Sequence, residues 1–167
     1  AAGHVGRMTD PNGNSTTYTY DGRGRIKTMV NEANGSTTTY EYNAAGELSK
    51  VNGANGVTSD YVYDTHGRLT RIVDSMGNYI QYSYDEHGNR IEVSYLNSSD
   101  ERLYWMRYNY QGITHPGRLW KEINPDEAYK EYTYDASGNI ITVKDPSGKT
   151  TLYGYDIFNR LTTVAGP

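Results

Sequence analysis

The sequence predicts an all-β protein built from tandem antiparallel β-hairpins of about 21 residues each. Three observations support this fold. The chain of 167 residues repeats Tyr-x-Tyr, followed by an acid or amide, every 21 or 22 residues over most of its length. Turn sequences that run from aspartate to glycine separate the tyrosine pairs, and polar residues alternate with β-branched or aromatic ones beside them. Units this small cannot bury an apolar face alone, so they must pack side by side.

One unit, residues 58–78, shows how the sequence specifies a hairpin. Its first six residues alternate in the manner of a strand. Asp64 and Gly67 then occupy the first and fourth positions of a type I turn, in which the glycine is left-handed. Residues 68–73 form the returning strand, and residues 74–77 repeat the turn chemistry before the next strand.

The same unit occurs seven times. Its tyrosines are Tyr18, Tyr20, Tyr40, Tyr42, Tyr61, Tyr63, Tyr82, Tyr84, Tyr108, Tyr110, Tyr132, Tyr134, Tyr153 and Tyr155, and its turn glycines are Gly24, Gly46, Gly67, Gly88, Gly117 and Gly138. Each tyrosine pair is expected to pack beside aliphatic side chains of a neighbouring strand, at about 0.2 to 1 kcal/mol a pair. About fourteen strands are too many for a flat sheet, so we expect a curved or spiralling sheet.

The repeat spacing stretches in the middle of a chain that otherwise predicts one continuous array over residues 1–167. It is 26 residues from Tyr82 to Tyr108 and 24 from Tyr108 to Tyr132. These spacings predict insertions near residues 95–103 and 111–117.

Aromatic residues near the insertions are candidates for binding a ligand or partner. Trp105 and Trp120 flank the insertions, and Tyr79, Trp105 and Tyr129 stand three residues before the first tyrosine of their units. Because side chains alternate along a strand, this offset puts the three rings on the opposite face. Either the insertions cover the rings, or the rings form an exposed strip that stacks a sugar or docks a receptor.

Composition disfavours several other functions. A net charge of -4 and a pI near 5.5 lack the basic excess of a nucleic-acid binder. The sequence contains no cysteine and no apolar stretch long enough to span a membrane. His66 and His87 occupy equivalent turns about 10 Å apart, too far to share a metal. The turn aspartates alternate with Arg, Asn and His, which disfavours calcium.

No residue pattern indicates an enzyme or a cofactor. The sequence has no phosphate-binding loop, no His-x-x-x-His pair and no nucleophile motif, and each aspartate has a structural explanation in its turn. We therefore expect a non-enzymatic protein without metal or cofactor.

The unit Tyr-x-Tyr-Asp-x-x-Gly-Arg-Leu-x-x-Val resembles the YD repeat of the Rhs and teneurin family. It stands at residues 61–72, 132–143 and 153–164, and its variants cover nearly the whole chain. In that family, long hairpin arrays coil into a hollow β-shell. In bacterial Rhs proteins and in the C subunits of insecticidal toxin complexes, the shell encloses a C-terminal toxic domain, and in teneurins a related shell serves cell-surface adhesion.

The resemblance implies a structural segment of such a shell, from a secreted or surface protein of bacteria. Its partners would be the remainder of the shell and an enclosed effector domain. The autoproteolytic segment of the bacterial shells is matched only by residues 145–148, so no protease activity is implied. Seven repeats are fewer than a complete shell uses, and we expect a fragment whose free strand edges self-associate. The alternative is a binding module that recognises a glycan or a protein receptor through Tyr79, Trp105, Trp120 and Tyr129.

Overall fold

The structure is a computed structural model that describes residues 3–111 and 117–167. Within these residues fifteen strands lie in chain order in one open antiparallel sheet, without a helix, which confirms the predicted hairpin fold. No helix of the described residues could therefore cross a membrane. The strands are β1 (Arg7–Thr9), β2 (Ser15–Tyr20), β3 (Ile26–Asn31), β4 (Thr37–Tyr42), β5 (Leu48–Asn52), β6 (Thr58–Tyr63), β7 (Leu69–Asp74), β8 (Tyr79–Tyr84), β9 (Arg90–Leu96), β10 (Arg102–Tyr110), β11 (Leu119–Ile123), β12 (Tyr129–Tyr134), β13 (Ile140–Lys144), β14 (Thr150–Tyr155) and β15 (Leu161–Ala165).

The described chain forms two compact units. The first comprises Ala1–Ile80 with Asn97–Ser99, and the second comprises Gln81–Leu96 with Asp100–Pro167. Both are made of the same hairpin, and each is described below by its own strands.

The predicted turns close the hairpins in both units. In the first unit, the amide of Gly67 donates to the carbonyl oxygen of Asp64 at 3.1 Å, and Gly67 has a φ of 76°. In the second unit, Gly138 donates to Asp135 at 3.1 Å with a φ of 93°. Asn159 takes the glycine position of its turn with a φ of 60°, as expected of the side chain that best tolerates this conformation.

A β-bulge lies beside the second tyrosine of six pairs. Tyr61 pairs with Ile72 whereas Tyr63 pairs with Leu69, so the register shifts between Val62 and Tyr63. The tyrosines are two residues apart and their partners three, so the returning strand carries one extra residue. Equivalent shifts occur at Tyr20, Tyr42, Tyr110, Tyr134 and Tyr155.

The tyrosine pairs and their cross-strand partners share one surface, which we name the tyrosine face; the other surface is the opposite face. In the first unit the partners are all aliphatic or methionine: Met29, Ile26, Val51, Leu48, Ile72 and Leu69. Most of these side chains are half-buried. The deepest apolar side chains of the described residues, Tyr79 and Val93, are 8% and 7% exposed. The core is therefore a thin layer that runs along the sheet.

The hairpins change length where the repeat spacing stretches. Strands β9 and β10 have seven and nine residues, and residues 97–101 connect them. Asp100 adopts a φ of 61° in this connection. Of the second predicted insertion, residues 112–116 lie outside the described residues.

Candidate functional site

In most aspartate turns the aspartate carboxylate binds both the backbone amide and the side chain of the residue four positions later, an arrangement that we name the clamp. Asp64 Oδ1 accepts the backbone amides of His66 and Arg68 at 2.8 and 3.0 Å, and its Oδ2 accepts Nε of Arg68 at 2.7 Å. Asp21 with Arg25 and Asp156 with Arg160 repeat this arrangement. Where asparagine replaces arginine, its Nδ2 donates instead, as from Asn78 to Asp74, Asn89 to Asp85 and Asn139 to Asp135.

These hydrogen bonds favour the ionised carboxylates. The backbone amide of Arg68, followed by its guanidinium, holds the pKa of Asp64 at about 2, and Arg25 does the same for Asp21. The pKa of Asp74, Asp85 and Asp135 is also lowered, chiefly by the paired asparagine side chain. The aspartates therefore stabilise the turns as anions.

Sequence reasoning missed the partner in this clamp. It attributed each aspartate to the turn alone, although the residue after each turn glycine is repeatedly Arg or Asn. At Asn43 the polarity is reversed, since its Nδ2 donates to Oε2 of Glu47 at 2.7 Å. The sequence therefore did carry a signal for the clamp, because the residue type at the start of each turn correlates with the type four positions later.

The clamp residues also touch the next turn along the array. A Cβ atom added to Gly67 would lie 2.8 Å from Oε1 of Glu47, and one added to Gly138 would lie 3.2 Å from Nη2 of Arg118. The turn glycine thus serves two purposes, because it adopts a positive φ and leaves room for the preceding hairpin.

A ladder of tyrosine hydroxyls joins successive hairpins. The hydroxyl of Tyr63 on β6 donates to the carbonyl oxygen of Leu48 on β5, the last strand of the preceding hairpin, at 2.9 Å. Four other second tyrosines make the equivalent bond: Tyr20 to Val5, Tyr42 to Ile26, Tyr110 to Arg90 and Tyr134 to Leu119. This explains why the repeat uses tyrosine, since phenylalanine would bury the ring without linking the hairpins.

Replacing Tyr63 by Phe is expected to lower the free energy of unfolding by about 1 kcal/mol, because the carbonyl of Leu48 loses its donor. The matched control is Tyr61→Phe, since the Tyr61 hydroxyl makes no hydrogen bond within the described residues. Urea unfolding followed by circular dichroism measures both. Equal losses in the two variants would contradict the ladder.

Two charged residues depart from the aliphatic pattern of the tyrosine face. Arg90 occupies the position of Leu48 and Leu69, with its guanidinium 5.3 Å from the ring centroid of Tyr108. Glu122 pairs with Tyr108 where other units have an aliphatic residue. Burial, followed by the nearby Glu122 carboxylate, raises the pKa of Tyr132 to about 12.

Stability is expected to fall as pH rises from about 10 to about 12, because the pKa values of Tyr63, Tyr110, Tyr132 and Tyr134 are raised, first by burial. A raised pKa contributes stability that is full below the ordinary value of 10.0 and is lost as the folded-state value is passed. Absorbance of tyrosinate should show a high-pH component that Tyr132→Phe reduces by one tyrosine. An unchanged titration in that variant would refute the assignment.

Two of the predicted binding residues are buried or half-buried, each beside a guanidinium. Tyr79 is 8% exposed, and the guanidinium of Arg71 lies 3.5 Å from its ring centroid. Trp105 is half-buried under the guanidinium of Arg107, at 4.4 Å. Arg107 is held in turn by Glu92 at 2.9 Å. A binding role for either ring stays a prediction.

The other two are more accessible and lie together. Trp120 and Tyr129 are 38% and 37% exposed, and the ammonium of Lys121 lies 4.4 and 4.0 Å from their ring centroids. Nε1 of Trp120 donates to Oε1 of Glu131 at 2.9 Å. The structure therefore brings two of the four predicted residues into one cluster, which we name the Trp120 cluster. No group of three metal-ligating His, Cys, Asp or Glu side chains occurs among the described residues.

Comparisons with known proteins give one family and one group of similar folds. The family described as RHS Repeat matches residues 1–36, 30–58, 63–99 and 134–167. No curated protein matches the chain.

The similar folds come from toxin complexes. The crystal structure of TcdB2-TccC3 has a TM-score of 0.72 and 20% identity, and the match covers 92% of this chain and 9% of that one. A mutant of the Photorhabdus luminescens Tc holotoxin pore gives a TM-score of 0.72 and 20% identity, over 95% of this chain and 9% of that one. The sequence thus spans about a tenth of the chains that it matches.

Proposed function

This chain belongs to the RHS repeat family, and on that basis we propose that it is a non-catalytic wall segment of a hollow β-shell. The observation that carries the proposal is the tyrosine ladder, in which five second tyrosines tie their hairpin to the one before it through a hydroxyl and a backbone carbonyl. Such a repeat can be extended by adding further hairpins of the same kind. Regular walls are built in this way.

The wall encloses a C-terminal effector domain of a secreted bacterial toxin, and residues 1–167 belong to one continuous YD-repeat array in it. Support comes from the shared fold of TcdB2-TccC3, whose chain is about eleven times longer than the matched part. The wall's partners are the remainder of the shell and the enclosed domain. Its described surface serves enclosure through shape, because the same hairpin backbone recurs along the array.

Limited proteolysis of the complete natural polypeptide tests enclosure. The enclosed domain should resist trypsin while the wall is intact and become sensitive once a wall-opening substitution such as Gly67→Val is introduced. Rapid digestion of that domain in the unmodified protein would exclude enclosure. Gly56→Val is the control for backbone strain alone, because Gly56 also has a positive φ but a Cβ atom added to it meets no atom within 4 Å.

The 167-residue chain is expected to self-associate through strand β15. All five of its residues are exposed, with Leu161 and Val164 at 53% and 59%, and within the described residues β15 pairs only with β14. Val164→Lys should shift the equilibrium towards monomer, because a charge on an exposed edge opposes strand pairing. Sedimentation over a concentration series measures this. Val62→Lys, on the interior strand β6, should leave association unchanged, and an equal effect would contradict edge pairing.

A further inference from the structure

A cavity of about 690 Å³ lies where strand β9 begins and strand β10 ends. Its apolar lining includes the side chains of Ile91, Tyr108, Tyr110 and Trp120. This volume falls within the range of about 300 to 1,000 Å³ that small-molecule sites occupy. The cavity belongs wholly to the second unit. A ligand could bind in this cavity whether or not the chain encloses an effector domain.

The polar lining selects against charged ligands. Asp85 is the one carboxylate among the described residues of the lining, and it already accepts hydrogen bonds from the amides of His87 and Asn89 and from Nδ2 of Asn89. The described lining contains neither Lys nor Arg. Asn109 and Gln111 contribute side-chain amides, each of which can both donate and accept a hydrogen bond.

Trp120 reaches the cavity because of a β-bulge. Lys121 pairs with Asn109 and Leu119 pairs with Tyr110, so Trp120 is the extra residue between them. Bulges commonly redirect a side chain in this way. The equivalent extra residues of other hairpins are Lys27, Ser49, Thr70, Ile141 and Thr162. Among these hairpins, only the β10–β11 hairpin has an indole at the bulge position, so the repeat pattern does not explain Trp120.

The ring of Trp120 is held in place before any ligand arrives. Its Nε1 donates to Glu131 at 2.9 Å, and the ammonium of Lys121 lies 4.4 Å from its centroid. A ring fixed in this way loses little conformational entropy on binding. It still leaves 38% of its surface exposed.

We propose that this cavity binds an uncharged saccharide, with one sugar ring stacked on Trp120 and its hydroxyls paired with the amides of Asn109 and Gln111. Sugars combine an apolar C–H face with a rim of hydroxyls. The cavity offers the matching combination of aromatic rings and uncharged hydrogen-bonding groups.

The two tryptophans of the chain allow a direct binding test. In the Trp105→Phe protein, Trp120 is the only tryptophan, and its fluorescence is titrated with maltotriose, cellotriose and chitotriose. At least one of these should produce a saturable change at millimolar concentration or below. Trigalacturonate is the charged probe and should bind at least about tenfold more weakly.

Calorimetry on variants locates the site. Trp120→Ala should weaken binding by at least about tenfold, whereas Trp105→Ala should leave it unchanged because Trp105 does not line the cavity. Circular dichroism confirms that each variant is folded. No binding of any neutral trisaccharide up to about 10 mM, equal losses in the two variants, or preference for trigalacturonate would each overturn the proposal.

Glu131 acts as a positioning residue in this arrangement. Glu131→Gln keeps an oxygen that accepts Nε1 of Trp120 and should retain the saccharide affinity. Glu131→Ala should weaken the saccharide affinity and lower the fluorescence anisotropy of Trp120, because the ring becomes more mobile. Equal affinity of the two variants would show that Trp120 needs no such support and would contradict preorganisation of the ring.

Discussion

Acidification from about pH 4 to about pH 2 is expected to destabilise the sheet progressively. The aspartate clamps cause this effect, because the pKa of Asp21 and Asp64 lies at about 2 in the folded chain, below the ordinary value of 3.8. A lowered pKa contributes stability that is present above the unfolded value and is lost as pH falls through the folded one. The pKa values of Asp10, Asp74, Asp85, Asp135, Asp145 and Asp156 are lowered as well, so the effect accumulates along the array.

Thermal melts followed by circular dichroism at a series of pH values measure this loss as a falling Tm. Asp64→Asn is the matched variant, because its amide oxygen still accepts the backbone amides of His66 and Arg68 while the titrating charge is removed. The variant should be less stable than the parent at neutral pH and should lose less stability on acidification. A Tm that stays constant down to about pH 2 would contradict the role of the clamps.

Replacing Gly67 by Ala is expected to lower the free energy of unfolding by about 2 to 3 kcal/mol. Two costs combine at this position. The φ of 76° strains any residue with a Cβ atom, and the added atom would meet Oε1 of Glu47 at 2.8 Å. Glu47 cannot move away freely, because Asn43 holds its other carboxylate oxygen at 2.7 Å.

Gly56→Ala separates these two costs. Gly56 has a φ of 80° but meets no atom within 4 Å, so its substitution should lose only about 1 to 2 kcal/mol. Chemical denaturation of the two variants gives the difference directly. Equal losses would mean that the contact between successive turns contributes nothing to stability.

The hairpin repeat could be predicted because its determinants are local. Asp64 and Gly67 stand within one turn, and their residue types alone specify its geometry. The clamp partner Arg68 was also close in sequence and could have been found from the residues that follow each glycine.

The contacts between hairpins could not be predicted in the same way. The Tyr63 hydroxyl bonds the carbonyl of Leu48, 15 residues earlier, and any residue type offers such a carbonyl. The bulge was equally hidden, because it follows from comparing the two-residue spacing of the tyrosines with the three-residue spacing of Leu69 and Ile72.

The irregular stretch was recognised from its spacing, but its chemistry depended on the structure. Sequence alternation grouped Tyr79 with Trp105 and Tyr129, whereas the structure buries Tyr79 and places Trp120 beside Tyr129. The reason is the bulge, which turns Trp120 away from the direction that simple alternation assigns to it. Arg90 and Glu122 were visible as exceptions only once their partners on the tyrosine face were known.

The most direct test of the wall proposal is thiol accessibility in the complete natural polypeptide. The described sequence has no cysteine, so Lys130→Cys and Thr133→Cys each introduce one thiol on strand β12. Both positions are exposed, the first on the tyrosine face and the second on the opposite face. In the isolated 167-residue chain, a bulky maleimide should modify both thiols at similar rates. In the complete polypeptide it should modify only one of them, because the other faces the enclosed space; equal rates at both positions there would contradict a closed wall.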